Sequence, residues 1–316
     1  MKSQQNSSDF DRVILVDKPA GISSFGVVSR IRGKLSREKR FFELTEFKEK
    51  NPVFNSELTE ENIAEFAKNP HLIPKEIHEK ISLTKKIKVG HAGTLDPFAT
   101  GLLIVLTGKM TREQDKFMRH DKTYSAKIRL GETSTTGDPE GEISQILTNE
   151  QAENFAKNLK NEEIAKMLEE KFTGEITQIP PVFSAIKMDG VKAYEISRKA
   201  AKIREKSSEN RENLSEKERK ILAKNDKFRE KFATEKSRKI VVKNLEIVNF
   251  QWPILEIRAE VSAGTYIRTL AEDIGAALGT GAFCAELRRE KIGEFDVENA
   301  VMMNNFTSKI RDFSET

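Results

Sequence analysis

The run Lys88-Val-Gly-His-Ala-Gly-Thr-Leu-Asp-Pro-Phe-Ala-Thr-Gly-Leu-Leu-Ile-Val-Leu-Thr-Gly108 constrains this chain more than any other stretch. Its apolar section, Leu102 to Leu106, has the length and bulk of a buried strand, although periodicity alone also admits a buried helical turn. Gly90 and Gly93 allow backbone angles or close approaches that a Cβ resists. Pro97 biases Asp96 away from the helical region and towards an extended conformation. The expectation is a loop that presents one carboxylate, Asp96, in a fixed direction beside His91 and Thr94. An Asp-Pro pair taken alone marks only a turn, so the weight rests on the whole string.

Composition narrows the classes of function. At 316 residues the chain can bury one large core or two smaller ones. No apolar run approaches the roughly 18 residues of a membrane span. The opening ten residues are polar and lack the apolar segment of a signal peptide. Cys284 is the single cysteine, which rules out an intramolecular disulfide and argues against a cysteine metal site. Four scattered histidines offer no ligand cluster; His71 and His78 lack a helical carboxylate partner and read as surface groups. A reducing, cytoplasmic setting without a metal site is expected. The net charge of +4 permits a polyanionic partner without requiring one.

In chain order, Val13 to Val16 reads as a short buried strand, followed by the turn Asp17-Lys-Pro-Ala-Gly21. Ser23 or Ser24 can cap the next helix, whose apolar side includes Val27, Val28 and Ile31. Thr59 can cap a helix over Leu58 to Ala67. Tyr124, Ala126, Ile128 and Leu130 alternate as one face of a half-buried strand, as do Leu255, Ile257, Ala259 and Val261. Thr133 to Gly141 is a turn cluster, and Thr148 with Gln151 forms a capping box before helices that reach Phe172. Thr265 is a candidate cap for a helix carrying Ile267, Leu270, Ile274 and Leu278, with Gly279 at its C-terminal end. Residues 201–238 hold 13 Lys or Arg against 8 Asp or Glu. Such a run is first of all a solvated face.

Several of these strings together resemble the tRNA pseudouridine synthase B (TruB) family. Gly-His-Ala-Gly-Thr-Leu-Asp-Pro-Phe-Ala-Thr-Gly, ending at Gly101, is similar to the family's nucleophile motif. Asp17-Lys-Pro-Ala-Gly-Ile-Ser-Ser24 resembles its opening segment, Asp121-Lys-Thr-Tyr124 its base-stacking tyrosine, and Gln178-Ile-Pro-Pro-Val-Phe-Ser-Ala-Ile-Lys187 its Pro-Pro-x-Tyr-Ser-Ala-x-Lys string. Gly264-Thr-Tyr-Ile-Arg-Thr-Leu270 resembles the second signature. The chain departs from the pattern at Ser134, where relatives tend to have Asp, at Phe183, where they have Tyr, and in two inserts, 34–86 and 201–238.

The resemblance implies an α+β pseudouridine synthase fold, a mixed and mainly antiparallel central sheet flanked by helices. It implies one catalytic domain over residues 1–300, with a thumb and its charged insert over 184–238, and a short tail, 301–316, without a PUA domain. The first insert is expected to be a helical elaboration packed on the sheet edge; the second is a candidate basic extension of an RNA clamp. The implied reaction is cofactor-free isomerisation of uridine 55 in the T arm of tRNA by a monomer. Asp96 starts cleavage of the N1–C1′ bond at C1′ or C6 or by way of a glycal, a choice the sequence leaves open. Tyr124 and Tyr266 hold the flipped base and assist proton transfer, which puts Tyr124 with Asp96 and Arg268 among the catalytic residues; Leu287 lines the pocket and His91 helps to splay the RNA loop; Lys18, Gly93, Thr94 and Lys187 support. Arg268 matches the arginine that pairs with the catalytic acid. A carboxylate enclosed under a base would otherwise be pushed towards neutrality. A guanidinium about 4 Å away, at an effective dielectric near 20, returns roughly 4 kcal/mol. The competing readings are a tRNA-folding chaperone with incidental turnover and a guide-dependent, dyskerin-like synthase.

Overall fold

The computed structural model describes residues 10–84, 86–181, 187–188, 191–192, 203 and 215–303. Phe183 and most of the expected thumb, together with residues 304–316 of the expected tail, lie outside the described residues. The packing of Cα positions divides the chain into two compact units, Met1–Arg119 with Glu294–Thr316, and His120–Gly293.

In the first unit, β1 (Val13–Lys18) pairs antiparallel with β3 (Thr100–Thr107), Val13 facing Leu106 and Lys18 facing Gly101. The apolar run 102–106 is thus a strand, and every residue of it is fully buried. β2 (Val89–Ala92) also pairs antiparallel with β3, so residues 93–99 form the loop of a hairpin. Near the C-terminus, β13 (Phe295–Asp296) precedes β14 (Val301–Met302), which runs parallel to β1.

Helix α1 (Ser24–Lys50) starts at Ser23, whose hydroxyl accepts the Gly26 N–H at 3.0 Å. Val27, Val28, Ile31 and Leu35 recur at helical spacing and bury against Ile14, Val16, Leu103 and Val105. The helix does not stop at the expected insert boundary. It runs through Gly33 and 17 residues beyond, because no proline intervenes before Pro52. Its far half carries a second core: Leu44 packs with Phe54, Leu58, Ile63, Ala67, Ile73 and Ile77. These come from α2 (Glu60–Lys68), α3 (Lys75–Lys80) and the turns around them. The insert is helical, as expected, but its core contains no strand residue; it is built on α1 rather than on a sheet edge. Thr59 caps α2 through the Asn62 N–H at 3.1 Å, and His71 and His78 are exposed. The short α4 (Gln114–Met118) lies near the end of this unit's first segment.

The second unit is an antiparallel sheet. Its strands β4 (Lys122–Leu130), β7 (Gly174–Gln178), β10 (Arg238–Gln251), β11 (Ile254–Val261) and β12 (Ala282–Ile292) lie in the order β12-β4-β11-β10-β7. Hairpins β5 (Glu132–Ser134)–β6 (Ile143–Gln145) and β8 (Lys187–Met188)–β9 (Val191–Lys192) stand apart from it. Helices α5 (Asn149–Asn158) and α6 (Asn161–Phe172) follow the expected capping box, in which Gln151 and Thr148 satisfy each other's backbone. Of the charged insert, Glu216–Lys236 forms helix α7 behind a Ser215–Glu218 capping box. Helix α8 (Ile267–Leu278) buries Ile267, Leu270 and Ile274 and ends at Gly279, whose φ of 74° is left-handed. A Cβ on its Gly275 would lie 2.4 Å from the Ala282 Cβ, so only glycine lets α8 approach the start of β12 this closely. The α+β, mixed and mainly antiparallel architecture is that expected from the sequence.

Candidate active site

The hairpin turn between β2 and β3 sets the direction of Asp96. Gly93, at φ 93°, takes a left-handed conformation that a side chain would resist. Gly90 needs no such freedom: it sits within β2 with open space where a Cβ would stand, so the sequence expectation for that glycine does not hold. Leu95 is buried, and both its backbone groups are taken by one hydroxyl. Ser24 Oγ donates to the Leu95 carbonyl at 2.9 Å and accepts the Leu95 N–H at 2.8 Å. On the other side, the Pro97 carbonyl accepts from the Gly21 N–H at 2.9 Å and from Lys18 Nζ at 3.2 Å. The Ala99 N–H closes the turn onto the Asp96 carbonyl at 3.2 Å. Asp96 itself remains partly exposed between two residues whose backbones are fixed.

Lys18 reaches from β1 to the loop that carries Asp96. Its side chain is fully buried, and Nζ donates to the carbonyls of Pro19, Ile22 and Pro97 at 2.9, 2.8 and 3.2 Å. Three carbonyl dipoles offset the loss of water around a buried ammonium and lock the turn 19–22 against the loop. Thr94 is exposed and His91 is partly buried in β2.

Within the second unit, four of the expected residues lie on the sheet and at the start of α8. Tyr124, on β4, lies opposite Ala259 of β11 and Arg289 of β12. Leu287 lies opposite Ala126, two residues along the same face, and both Tyr124 and Leu287 are 8% exposed. Tyr266 immediately precedes α8 and Arg268 lies in its first turn. The expected cap by Thr265 is absent. Its hydroxyl turns back to the Ser262 carbonyl at 3.0 Å, and the helix begins at Ile267.

Arg268 is buried with a partner that the sequence did not reveal. Its Nη1 donates to Asp138 Oδ2 and to the Thr136 carbonyl, each at 2.9 Å. Both side chains of this ion pair are 5% exposed. Asp138 Oδ1 accepts from Thr136 Oγ1 at 2.6 Å and from the Glu140 N–H at 3.0 Å, so the carboxylate is itself held. The Thr-Gly-Asp-Pro turn was the available signal, but 130 residues separate the partners. Ser134 is not a substitute acid: its hydroxyl donates to the Asp138 carbonyl and braces the same turn.

Lys187 lies in β8 opposite Lys192, and its side chain lies outside the described residues. Beside Tyr124, burial and then the nearby Arg289 push Lys122 down to about 8, with Asp121 opposing. The chemistry present is thus a carboxylate on a pinned loop in the first unit and, in the second, two tyrosines, a buried leucine and a guanidinium anchored by its own acid.

Comparison with known proteins identifies the family. The model of the TruB family pseudouridylate synthase N-terminal domain matches residues 80–218, and that of the tRNA pseudouridylate synthase B C-terminal domain matches residues 268–315. A protein of Endomicrobium trichonymphae named tRNA pseudouridine synthase B is 32% identical over 304 residues, 96% of this chain and 94% of that one. A protein of the same name from Parabacteroides distasonis is 39% identical over 214 residues, 68% of this chain and 75% of that one. Among solved structures, a chain in the crystal structure of a Cbf5–Nop10–Gar1 complex aligns with a TM-score of 0.50 and 23% identity. That alignment covers 94% of this chain and 54% of the other, a likeness of fold. The chain belongs to the TruB family of pseudouridylate synthases.

Proposed function

We propose that this tRNA pseudouridine synthase isomerises uridine 55 in the T arm of tRNA, with Asp96 as nucleophile. The observation that carries the reaction is the 32% identity with a tRNA pseudouridine synthase B in an alignment that covers 96% of the chain. The pinning of Leu95 and Pro97 on either side of Asp96 supports the residue assignment, since a nucleophile must be aimed before its substrate arrives.

In this reading Arg268 keeps Asp96 ionised once the base excludes water, and Asp138 keeps Arg268 in place. Tyr124 and Tyr266 hold the flipped base against Leu287, and no cofactor takes part. His91 helps to open the RNA loop, and Gly93, Thr94, Lys18 and Lys187 support the site. Residues 1–300 act as one catalytic domain in a cytoplasmic monomer that binds the T stem-loop. Residues 201–238 add basic groups against the RNA phosphates.

The test is to incubate an unmodified tRNA transcript and an isolated T-arm stem-loop with the protein and map pseudouridine. Modification of both at uridine 55 is expected. Modification elsewhere contradicts the T-arm assignment. Folding rescue without modification favours a chaperone, and modification only with an added guide RNA favours a guide-dependent enzyme.

A further inference from the structure

Tyr266 is held from two directions by a pair of residues that face each other across two strands. Gln178, the last residue of β7, lies directly opposite Arg238, the first residue of β10. The Gln178 side chain is 1% exposed, and its amide meets the backbone of Tyr266 at both ends. Nε2 donates to the Tyr266 carbonyl at 3.0 Å, and Oε1 accepts the Tyr266 N–H at 2.8 Å. Among uncharged side chains at neutral pH, only the amides point a donor and an acceptor in nearly the same direction, and Asn is one methylene too short to reach from the same Cα. The Arg238 guanidinium covers the ring of the same tyrosine, 4.9 Å from its centroid, and also donates to the Gly264 carbonyl.

We infer that Gln178 and Arg238 form a clamp that positions Tyr266 for the reaction assigned above. Neither is a catalytic residue; both act through Tyr266. The amide fixes where the backbone enters α8, and therefore the first turn that carries Arg268. The guanidinium fixes the plane of the ring and occupies one of its faces, leaving the other for a base. Residues 179–237 connect these two strand ends in sequence. The clamp therefore ties the two roots of that excursion to the base-holding tyrosine.

This inference rests on the proposed reaction for its kinetic consequence but not for its structural one, and the two are tested separately. The chain has three tyrosines. Protein labelled with 3-fluorotyrosine should give three fluorine resonances, of which the one missing in Tyr266→Phe reports the clamp. Arg238→Met should shift that resonance, and Gln178→Met should shift or broaden it, with the other two unchanged. In single-turnover assays on the tRNA transcript, each variant should lose about ten-fold in rate. The affinity of Gln178→Met for tRNA should stay unchanged, which also shows that it has folded; for Arg238→Met, which removes one cation of the charged insert, the two unchanged fluorine resonances show the same. Arg238→Met should cost nothing further in a Tyr266→Ala background, whereas a generally structural role would cost the same in both. A Tyr266 resonance that ignores both substitutions overturns the clamp, whatever the activity. Equal losses with and without the ring overturn its kinetic role. A wild-type protein that forms no pseudouridine contradicts the assigned reaction instead, and the fluorine spectra still decide the clamp.

Discussion

Asp138→Asn is the substitution that most directly weighs the Arg268 anchor. The pair meets at 2.9 Å with both side chains 5% exposed, so its charges are screened by very little water. Removing one partner of such a pair typically costs about 3–5 kcal/mol, because the remaining charge stays buried without compensation. Asn keeps the volume and an acceptor oxygen. The bonds from Thr136 Oγ1 and the Glu140 N–H can therefore survive, but the amide NH2 then stands where Oδ2 accepted from Arg268 Nη1, so that hydrogen bond is lost with the charge. The expected cost is then about 3–5 kcal/mol, at least a hundred-fold in the folding equilibrium. It should appear as a lowered urea midpoint with an unchanged slope. Arg268→Met leaves the opposite charge stranded, and combining it with Asp138→Asn should cost less than the sum of the two, by about 1.5–3 kcal/mol. A stability change below about 1 kcal/mol for Asp138→Asn, or additive single costs, refutes the reasoning.

Other consequences follow from the same geometry. Ser24→Ala removes both hydrogen bonds to Leu95; it should lose about 1–2 kcal/mol and speed amide exchange at Leu95. Gly279→Ala places a side chain at φ 74° in otherwise open space, so its cost, about 1 kcal/mol in a thermal melt, is purely backbone strain. Lys122 titrates near 8 when folded, below its value in the unfolded chain, so the unfolded chain binds the extra proton between those two values. Stability should therefore rise as pH climbs from about 8 towards 10.4, and Lys122→Met should flatten that rise in urea midpoints at about pH 7.5 and 9.5. Deleting residues 202–236 should weaken tRNA binding and flatten its log–log salt dependence by about 0.7–0.9 for each phosphate that is no longer neutralised. An unchanged slope removes the insert from the RNA interface.

What the sequence discloses and what it hides divide along the range of the interactions. The Asp96 loop is legible because its glycine, proline and strand signals are adjacent in the chain. The caps at Ser23, Thr59 and Thr148 are legible for the same reason, since each side chain acts within three residues. Thr265 reads as a cap in the sequence but is not one, because the competing bond to Ser262 and the capture of the Tyr266 N–H by Gln178 depend on tertiary placement. Asp138 cannot be matched to Arg268 across 130 residues by any local pattern. The first insert is seated on α1 rather than on a sheet edge because the helix continues through Gly33. A single exposed glycine costs a helix only about 1 kcal/mol, which the buried packing of Leu35 and Leu44 beyond it outweighs.

The central claim is that one carboxylate starts the reaction, and a single-turnover comparison of wild-type protein with Asp96→Asn tests it most directly. Pseudouridine formation in an unmodified T-arm transcript should vanish in the variant while the affinity for that RNA is retained. An asparagine enzyme that still converts the uridine at a comparable rate would contradict the account.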